Sequence, residues 1–186
     1  MKLEDNQVRK EADENREPDH DINSLLYQRW SPRALGRDMT EEDLEALFEA
    51  ARWAPSSYNN QSWRFLYATH QDEQWESFAS LMNDFNRSWA ENGYALIVLV
   101  SKTTFDHNGE DSITHSFDTG ATWQNLALEA AAREELEIPE GFEVESMIAV
   151  GSYGDKEKID EDMRVEPNGR KELDEIRTKG GFSFEQ

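Results

Sequence analysis

Residues 54–65 read APSSYNNQSWRF. Pro55 predicts the end of a preceding helix, because proline has no amide hydrogen and its ring clashes with the previous turn. The segment from Ser62 to Ala68 has the composition of a strand. Two serines, two asparagines and a glutamine lie between these points, and such neutral side chains can donate and accept hydrogen bonds along the edge of a planar heterocycle. A polar loop that only caps the helix and enters the strand is the alternative.

The helix before this loop has the clearest sequence signal. Thr40 followed by Asp43 resembles a capping box, in which each of two side chains binds the backbone amide of the other residue. An apolar stripe follows at helical spacing: Leu44, Leu47, Phe48 and Ala51. The pattern predicts a helix that packs one face on a core and stops before Pro55.

The N-terminal 20 residues are polar and show no periodicity, so we predict a mobile arm at 1–20. A single folded domain is expected over residues 21–186. It begins with a short helix, because Ile22, Leu25 and Leu26 recur at helical spacing and Pro32 ends the pattern.

The remaining elements alternate between helices and strands. Helices are predicted from Trp75 to Phe85 and from Asp118 to Ala131, and buried strands from Tyr94 to Ser101 and from Glu143 to Tyr153. This order predicts an α+β fold in which helices surround a central mixed or antiparallel sheet. No Gly-x-Gly-x-x-Gly motif follows a strand, which argues against a dinucleotide-binding Rossmann domain.

The chain is strongly acidic, with 40 acidic against 19 basic side chains and a formal net charge of −21. Such a field repels nucleic acid and anionic lipid, so neither is an expected partner. The acidic residues are spread along the chain among apolar core segments, which favours adaptation to concentrated salt. A solvated acidic surface without that adaptation and a disordered acidic chain are the alternatives.

The chain contains no cysteine, so disulfides and thiolate chemistry are excluded. Its four histidines are dispersed without metal-ligand spacing, and no metal site is predicted. No apolar stretch reaches the roughly 20 residues that span a bilayer. We therefore expect a cytoplasmic protein.

Two basic patches stand against the acidic background. Arg29, Ser31 and Arg33 surround Pro32, and Arg170 and Lys171 follow a turn near the C-terminus. Guanidinium groups bind phosphate through paired, charge-assisted hydrogen bonds, and a serine hydroxyl can add another. For the first patch the alternative is surface arginines that neutralise nearby carboxylates, and for the second it is a solvated turn.

The patches and the polar segment, in this order, resemble the nitroreductase family. RWSPRAL (residues 29–35) is similar to its phosphate-binding motif, and APSSYNNQSWRF is similar to its flavin-ring motif. Further similarity runs through FDTGATWQNLALEA (117–130), GFEVESMIAVG (141–151) and GRKELDEI (169–176). The resemblance implies an interlocked homodimer of α+β subunits with FMN at the subunit interface, and NADPH or NADH as the co-substrate.

The resemblance also implies roles for individual residues. The phosphate and ribityl chain would be held by Arg29, Ser31, Arg33, Arg170 and Lys171. The flavin ring would be lined by Pro55, Ser56, Ser57 and Asn59, with Gln61 in support. No catalytic side chain is implied, because the flavin carries the chemistry in a ping-pong cycle that reduces a small acceptor such as a nitroaromatic or a quinone.

Two departures from the family pattern bear on activity. Ser62 stands where proline is usual. After Ala131 the sequence lacks the glycine-containing strand and loop that lie beside the reactive edge of the flavin in family members, and with them a donor to flavin N5. A flavin-binding protein without turnover and a salt-adapted interaction module without cofactor are therefore the alternative functions.

Overall fold

The computed structural model describes residues 7–124, 140–171 and 176. The chain divides into two compact units. We call Arg33–Arg164 the larger unit, and the described residues of 2–32 and 165–186 the terminal unit.

The larger unit contains antiparallel sheets. Its described strands are β1 Leu35–Gly36, β2 Trp63–Thr69, β3 Ala95–Lys102, β4 Phe142–Val150 and β5 Ser152–Tyr153. Strands β2, β3 and β4 form one sheet in that order, and β1 pairs with β5. Together with the helices this arrangement confirms the predicted α+β class, and the described sheets are antiparallel.

Strand β3 is the centre of the core, because both of its faces are covered. Leu96, Val98 and Val100 belong to one buried cluster, whereas Ile97 and Leu99 belong to another. A strand that is buried on both faces has a continuous apolar sequence instead of an alternating one. The run YALIVLV therefore predicts both the strand and its central position.

The helices of the two units begin and end as follows: α1 Gln7–Asn15, α2 Ser24–Gln28, α3 Glu41–Arg52, α4 Trp75–Ser80, α5 Asp84–Ala90 and α6 His115–Trp123. Helix α3 confirms the capping box, since Thr40 and Asp43 each bind the backbone amide of the other. Hydrogen bonds from the Thr40 side chain and then from its backbone lower the pKa of Asp43.

The single helix predicted from Trp75 to Phe85 is wrong. Helix α4 ends at Ser80, and Asn83 starts α5 by accepting a hydrogen bond from the amide of Asn86 at 2.9 Å. An asparagine in this role satisfies an amide that has no partner within the helix, so a new helix begins there.

Two other predicted boundaries also differ. Helix α6 begins three residues before Asp118, and the predicted part beyond residue 124 lies outside the described residues. The strand predicted from Glu143 to Tyr153 is divided at Gly151, where β4 ends and β5 begins. A Cβ atom on Gly151 would lie 2.4 Å from the carbonyl oxygen of Gly36, so only glycine permits this close approach.

The terminal unit contains α1 and α2, which are linked by a hydrogen bond from Gln28 to Asp13 at 3.0 Å. Helix α2 confirms the short helix predicted before Pro32. Within 7–124, 140–171 and 176, no helix has the length and apolar character required to span a membrane.

Candidate functional site

The polar loop, residues 54–61, connects α3 to β2 through a single turn of 3₁₀ helix at Ser57–Asn59. Tyr58, Asn59 and Gln61 have positive φ angles of 53°, 54° and 47°. For a residue with a side chain this conformation costs about 1–2 kcal/mol, so three cases in one short loop are unusual. Such strain is concentrated at ligand-binding and active sites, where the surrounding structure maintains it.

Hydrogen bonds within the polar loop hold this conformation. The amide of Asn59 donates to the carbonyl of Ser56 at 3.0 Å, and the amide of Gln61 donates to the Ser56 hydroxyl at 3.0 Å. The side chain of Gln61 donates to the carbonyl of Asn59 at 3.3 Å. Ser56 and Gln61 thus both support the loop conformation from within.

Asn60 connects the polar loop to the beginning of the next strand and to the segment that follows β3. Its side-chain nitrogen donates to the Ser62 hydroxyl at 2.9 Å and to the carbonyl of Thr104 at 3.3 Å. Its side-chain oxygen accepts from the amide of Asp106 at 2.8 Å. Asn60 is buried, so these bonds satisfy an amide that water does not reach. Ser62, which replaces the usual proline, takes part in this anchor through its hydroxyl.

Asp118 on α6 holds the polar loop from the other side. Its carboxylate accepts from the amide of Ser57 at 3.0 Å, from the Ser57 hydroxyl at 3.4 Å and from the Thr114 hydroxyl at 3.2 Å. The side chain is 3% exposed. A buried carboxylate must be hydrogen-bonded, so Asp118 and the Ser57 backbone fix each other. Sequence reasoning did not assign a role to Asp118.

The outer side of the polar loop presents groups to solvent. Pro55, Asn59 and Gln61 are exposed, and none of the residues in the described ranges bonds the side-chain amide of Asn59. Tyr58 is 82% exposed, and its ring lies 5.6 Å from the ring of Phe105. The loop therefore offers neutral hydrogen-bonding groups beside aromatic surface, as a planar heterocyclic ligand requires.

The terminal unit contains four of the predicted phosphate-binding residues. Arg29 and Ser31 are exposed, and a guanidinium nitrogen of Arg29 lies 3.5 Å from the Ser31 hydroxyl. Arg170 donates to the carbonyl of Gly169 at 2.9 Å. Lys171 follows Arg170 and is exposed. Both basic segments thus belong to one compact unit, although they are far apart in sequence.

A cavity of about 440 Å³ lies within the terminal unit. The cationic side chains on its lining are Arg16, Arg170 and Lys171, and two carboxylates, Glu17 and Asp19, line it as well. The cavity is large enough for a phosphate group and part of the molecule that carries it.

Arg33 belongs to the larger unit. Its guanidinium lies over the ring of Phe85, 5.1 Å from the ring centre. An arginine can stack on an aromatic ring and still donate hydrogen bonds in the plane of its guanidinium. The assignment of Arg33 to a phosphate is compatible with this contact and stays a prediction.

A cluster of His115, Glu143 and Glu145 places three candidate metal-ligand atoms within 4.8 Å of one another. Two of the three groups already have protein partners, and the third, Glu143, is exposed. Glu145 accepts from the hydroxyls of Ser101 and Ser116 at 2.5 and 2.7 Å. Ser101 also lies 2.7 Å from Nδ1 of His115. Because these bonds satisfy the buried polar atoms, the geometry does not require a cation there.

Known proteins match both the sequence and the fold. The model of the Nitroreductase family matches residues 26–104. A crystal structure described as an oxidoreductase containing FMN is 35% identical, with a TM-score of 0.85, and the match covers 91% of this chain and 97% of that one. The chain belongs to the nitroreductase family.

Other relatives of this nitroreductase-family chain are more distant or match a shorter segment. An oxygen-insensitive NADPH nitroreductase of Helicobacter acinonychis (strain Sheeba) is 37% identical over 79 residues. That match covers 41% of this chain and 37% of the relative, little more than a third of its length. A nitroreductase family protein of Streptococcus pneumoniae TIGR4 is 20% identical with a TM-score of 0.63, and the match covers 82% of this chain and 96% of that one. At that identity it shows the shared fold alone.

Membership of the nitroreductase family leaves the residue roles as predictions. The structure brings Pro55, Ser56, Ser57, Asn59 and Gln61 together in one strained loop. The segment after Ala131, where the sequence lacks the loop beside flavin N5, lies outside the described residues. The similarity at 117–130 includes Asp118, but its bond to Ser57 joins residues 61 positions apart, which no local pattern indicates.

Proposed function

We propose that this chain is an FMN-dependent oxidoreductase that uses NADPH or NADH to reduce small acceptors such as nitroaromatics and quinones. The observation that carries the proposal is the polar loop, which has three left-handed residues, an anchor on buried Asp118 and exposed amide groups. The 35% identity to an oxidoreductase containing FMN supports the same cofactor. The NADPH nitroreductase relative supports the co-substrate.

The donor groups of the chain fit the parts of FMN. The ring of the flavin has both donor and acceptor atoms along its edge, and Ser57, Asn59 and Gln61 offer neutral partners for them. The phosphate is a dianion at neutral pH, and Arg29, Ser31 and Arg170 offer charged and hydroxyl donors. We assign Pro55 and Ser56 to the ring group, and Arg33 and Lys171 to the phosphate group.

When bound, the flavin would exchange hydride and electrons with the nicotinamide and with the acceptor. The protein residues position the ring and the phosphate. Asp118 keeps the Ser57 amide in place, and the internal bonds of Ser56 and Gln61 keep the loop in its strained form. The exposed ring of Tyr58 provides apolar surface against which an aromatic acceptor can pack.

We also propose that the protein acts as a homodimer in a salt-rich cytoplasm. Ile113, two residues before α6, is 94% exposed, and Phe117 in the first turn of α6 is 81% exposed. Large apolar side chains with this exposure are typical of a surface that a second subunit covers. Sedimentation of the protein as a monomer in molar KCl would overturn the dimer.

The first experiment is a visible absorption spectrum of the protein purified in concentrated KCl, followed by anaerobic addition of NADPH or NADH. We expect a flavin spectrum that bleaches when the nicotinamide is added. A bound flavin that stays oxidised would identify a flavoprotein without turnover. A colourless protein that does not bind added FMN would overturn the proposed function and favour an interaction module without cofactor.

A further inference from the structure

Arg16 connects the two basic segments of the terminal unit. Its guanidinium donates to the carbonyl oxygens of Tyr27 at 2.7 Å and Arg29 at 2.9 Å. Its Nε donates to the carbonyl of Asn168 at 2.8 Å, and a terminal nitrogen lies 3.4 Å from the side-chain oxygen of Asn168. These four bonds use four of the five N–H groups of an arginine. Arg16 therefore binds the backbone on both sides of a sequence separation of more than 130 residues.

Asn168 extends this connection to Arg170. The guanidinium of Arg170 donates to the carbonyl and to the side-chain oxygen of Asn168, each at 3.3 Å. The same two oxygen atoms accept from Arg16. Arg16 and Arg170 thus share one acceptor residue, and Arg16 holds the backbone of Arg29 directly.

The resulting arrangement concentrates positive charge in a protein with a net charge of −21. Burial and then the charges of Arg170 and Arg29 lower the pKa of Arg16. In the part of the chain that the structure describes, none of these guanidiniums has a carboxylate within ion-pair distance. The charges of Arg170 and Arg29 thus act against the charge of Arg16, and a bound anion would relieve this repulsion.

We propose that Arg16 is a positioning residue that brings the guanidiniums of Arg29 and Arg170 together to bind the phosphate monoester of the flavin. This inference rests on the proposed function. Arg16 itself uses its donors on the backbone, so Arg29 and Arg170 make the contacts with phosphate. Arg16 lies in the N-terminal segment that the sequence predicts to be a mobile arm, and this segment thereby acquires a role in cofactor binding.

A purely structural role of Arg16 predicts a different result from a role in phosphate binding. If Arg16 only stabilises the terminal unit, its loss weakens the binding of every flavin to the same extent. If Arg16 positions the two arginines, its loss weakens the binding of FMN more than the binding of riboflavin, because riboflavin has the same ring and ribityl chain without the phosphate. The ratio of the two dissociation constants therefore separates the two roles.

The experiment measures dissociation constants for FMN and riboflavin by flavin fluorescence, with the full chain and with Arg16→Ala and Arg16→Lys. Arg9→Ala, which removes the same charge from α1, is the matched control. Circular dichroism verifies that each variant is folded. We expect Arg16→Ala to raise the dissociation constant of FMN about tenfold or more and that of riboflavin less than about twofold. The larger change corresponds to the loss of charge-assisted hydrogen bonds to the phosphate.

We expect Arg16→Lys to lose most of the same selectivity, because one ammonium group does not reach three carbonyls in the geometry of a guanidinium. Equal weakening of FMN and riboflavin, or the same selective loss in Arg9→Ala, would overturn the inference. Failure of both Arg16 variants to fold would also overturn it, since Arg16 would then be a general requirement for folding. If the unaltered chain binds riboflavin but prefers FMN no more than Arg16→Ala does, only the inference fails. If the unaltered chain binds neither flavin, the proposed function fails and the inference with it.

Discussion

The polar loop and the three arginines of the terminal unit, Arg16, Arg29 and Arg170, which we call the arginine cluster, are maintained in opposite ways. In the polar loop a buried carboxylate, Asp118, accepts hydrogen bonds from the backbone amide and hydroxyl of Ser57. In the arginine cluster a guanidinium, Arg16, donates to backbone carbonyls. Each region thus has one charged residue that holds the backbone, and this leaves other side chains available for a ligand.

The two regions differ in what they present. The polar loop presents neutral amides whose positions depend on strained backbone angles. The arginine cluster presents positive charge, which is attractive to an anion at longer range and is sensitive to ionic strength. The proposed ring site therefore depends on geometry and the proposed phosphate site depends on charge, so the two can be tested separately.

The largest effect is expected from removal of the carboxylate that holds the polar loop. Asp118→Ala leaves the Ser57 amide without its acceptor, and a lost hydrogen bond to a charged group costs about 1.5–3 kcal/mol. We expect FMN and riboflavin to bind about 10 to 100 times more weakly, since both contain the ring, and the melting temperature to fall. Isothermal titration and thermal melting measure the two effects.

Asp118→Asn is the conservative substitution at the same position, because the asparagine side-chain oxygen can still accept a hydrogen bond from Ser57. Asp111→Asn removes a charge from an exposed carboxylate and is the matched control. We expect Asp118→Asn to lose less flavin affinity than Asp118→Ala does, and Asp111→Asn to keep the affinity of the unaltered chain. Unchanged flavin binding in Asp118→Ala would show that the loop keeps its conformation without this carboxylate.

A smaller effect is expected from salt. Raising KCl from about 0.1 M to about 1 M shortens the screening length from roughly 10 Å to roughly 3 Å. We expect the preference for FMN over riboflavin to fall about threefold, because only the phosphate contact is charged. Over the same range we expect the melting temperature to rise, because screening reduces repulsion within a chain of net charge −21.

The two salt measurements have separate meanings. A preference for FMN that does not change with KCl would contradict a phosphate site built on charge. A melting temperature that is indifferent to molar KCl would count against adaptation to concentrated salt, whatever the flavin measurements show.

The smallest effect on affinity is expected at the exposed tip of the polar loop. Asn59→Ala removes an amide that has no partner among the described residues, so no hydrogen bond within the described protein is lost and the main loss is one proposed ring contact. Alanine tolerates the φ of 54° less well than asparagine does, so we also expect a small loss of stability. We expect FMN affinity to change less than about threefold, within the range of one neutral hydrogen bond, and the reduction potential of the bound flavin to shift. A spectroelectrochemical titration that gives the same potential for both proteins would remove Asn59 from the ring site.

Local sequence patterns predicted much of the fold. The capping box at Thr40 and Asp43 and the continuous apolar run of β3 were confirmed because both signals arise from contacts between near neighbours or from burial on two faces. The helix from Trp75 to Phe85 was predicted wrongly as one element. Its apolar spacing continues through Asn83, whose role as a helix start depends on one side-chain bond that periodicity does not reveal.

Motif order and composition were sufficient to indicate the family and the α+β class and to name the candidate binding residues, because both are properties of the linear chain. How the candidate residues are held follows from contacts that form only in the folded protein. Asp118 reaches Ser57 across 61 positions, and Arg16 reaches Asn168 across 152. Such contacts have no local signature, since a charged side chain is satisfied by whichever backbone groups the fold brings within hydrogen-bond distance.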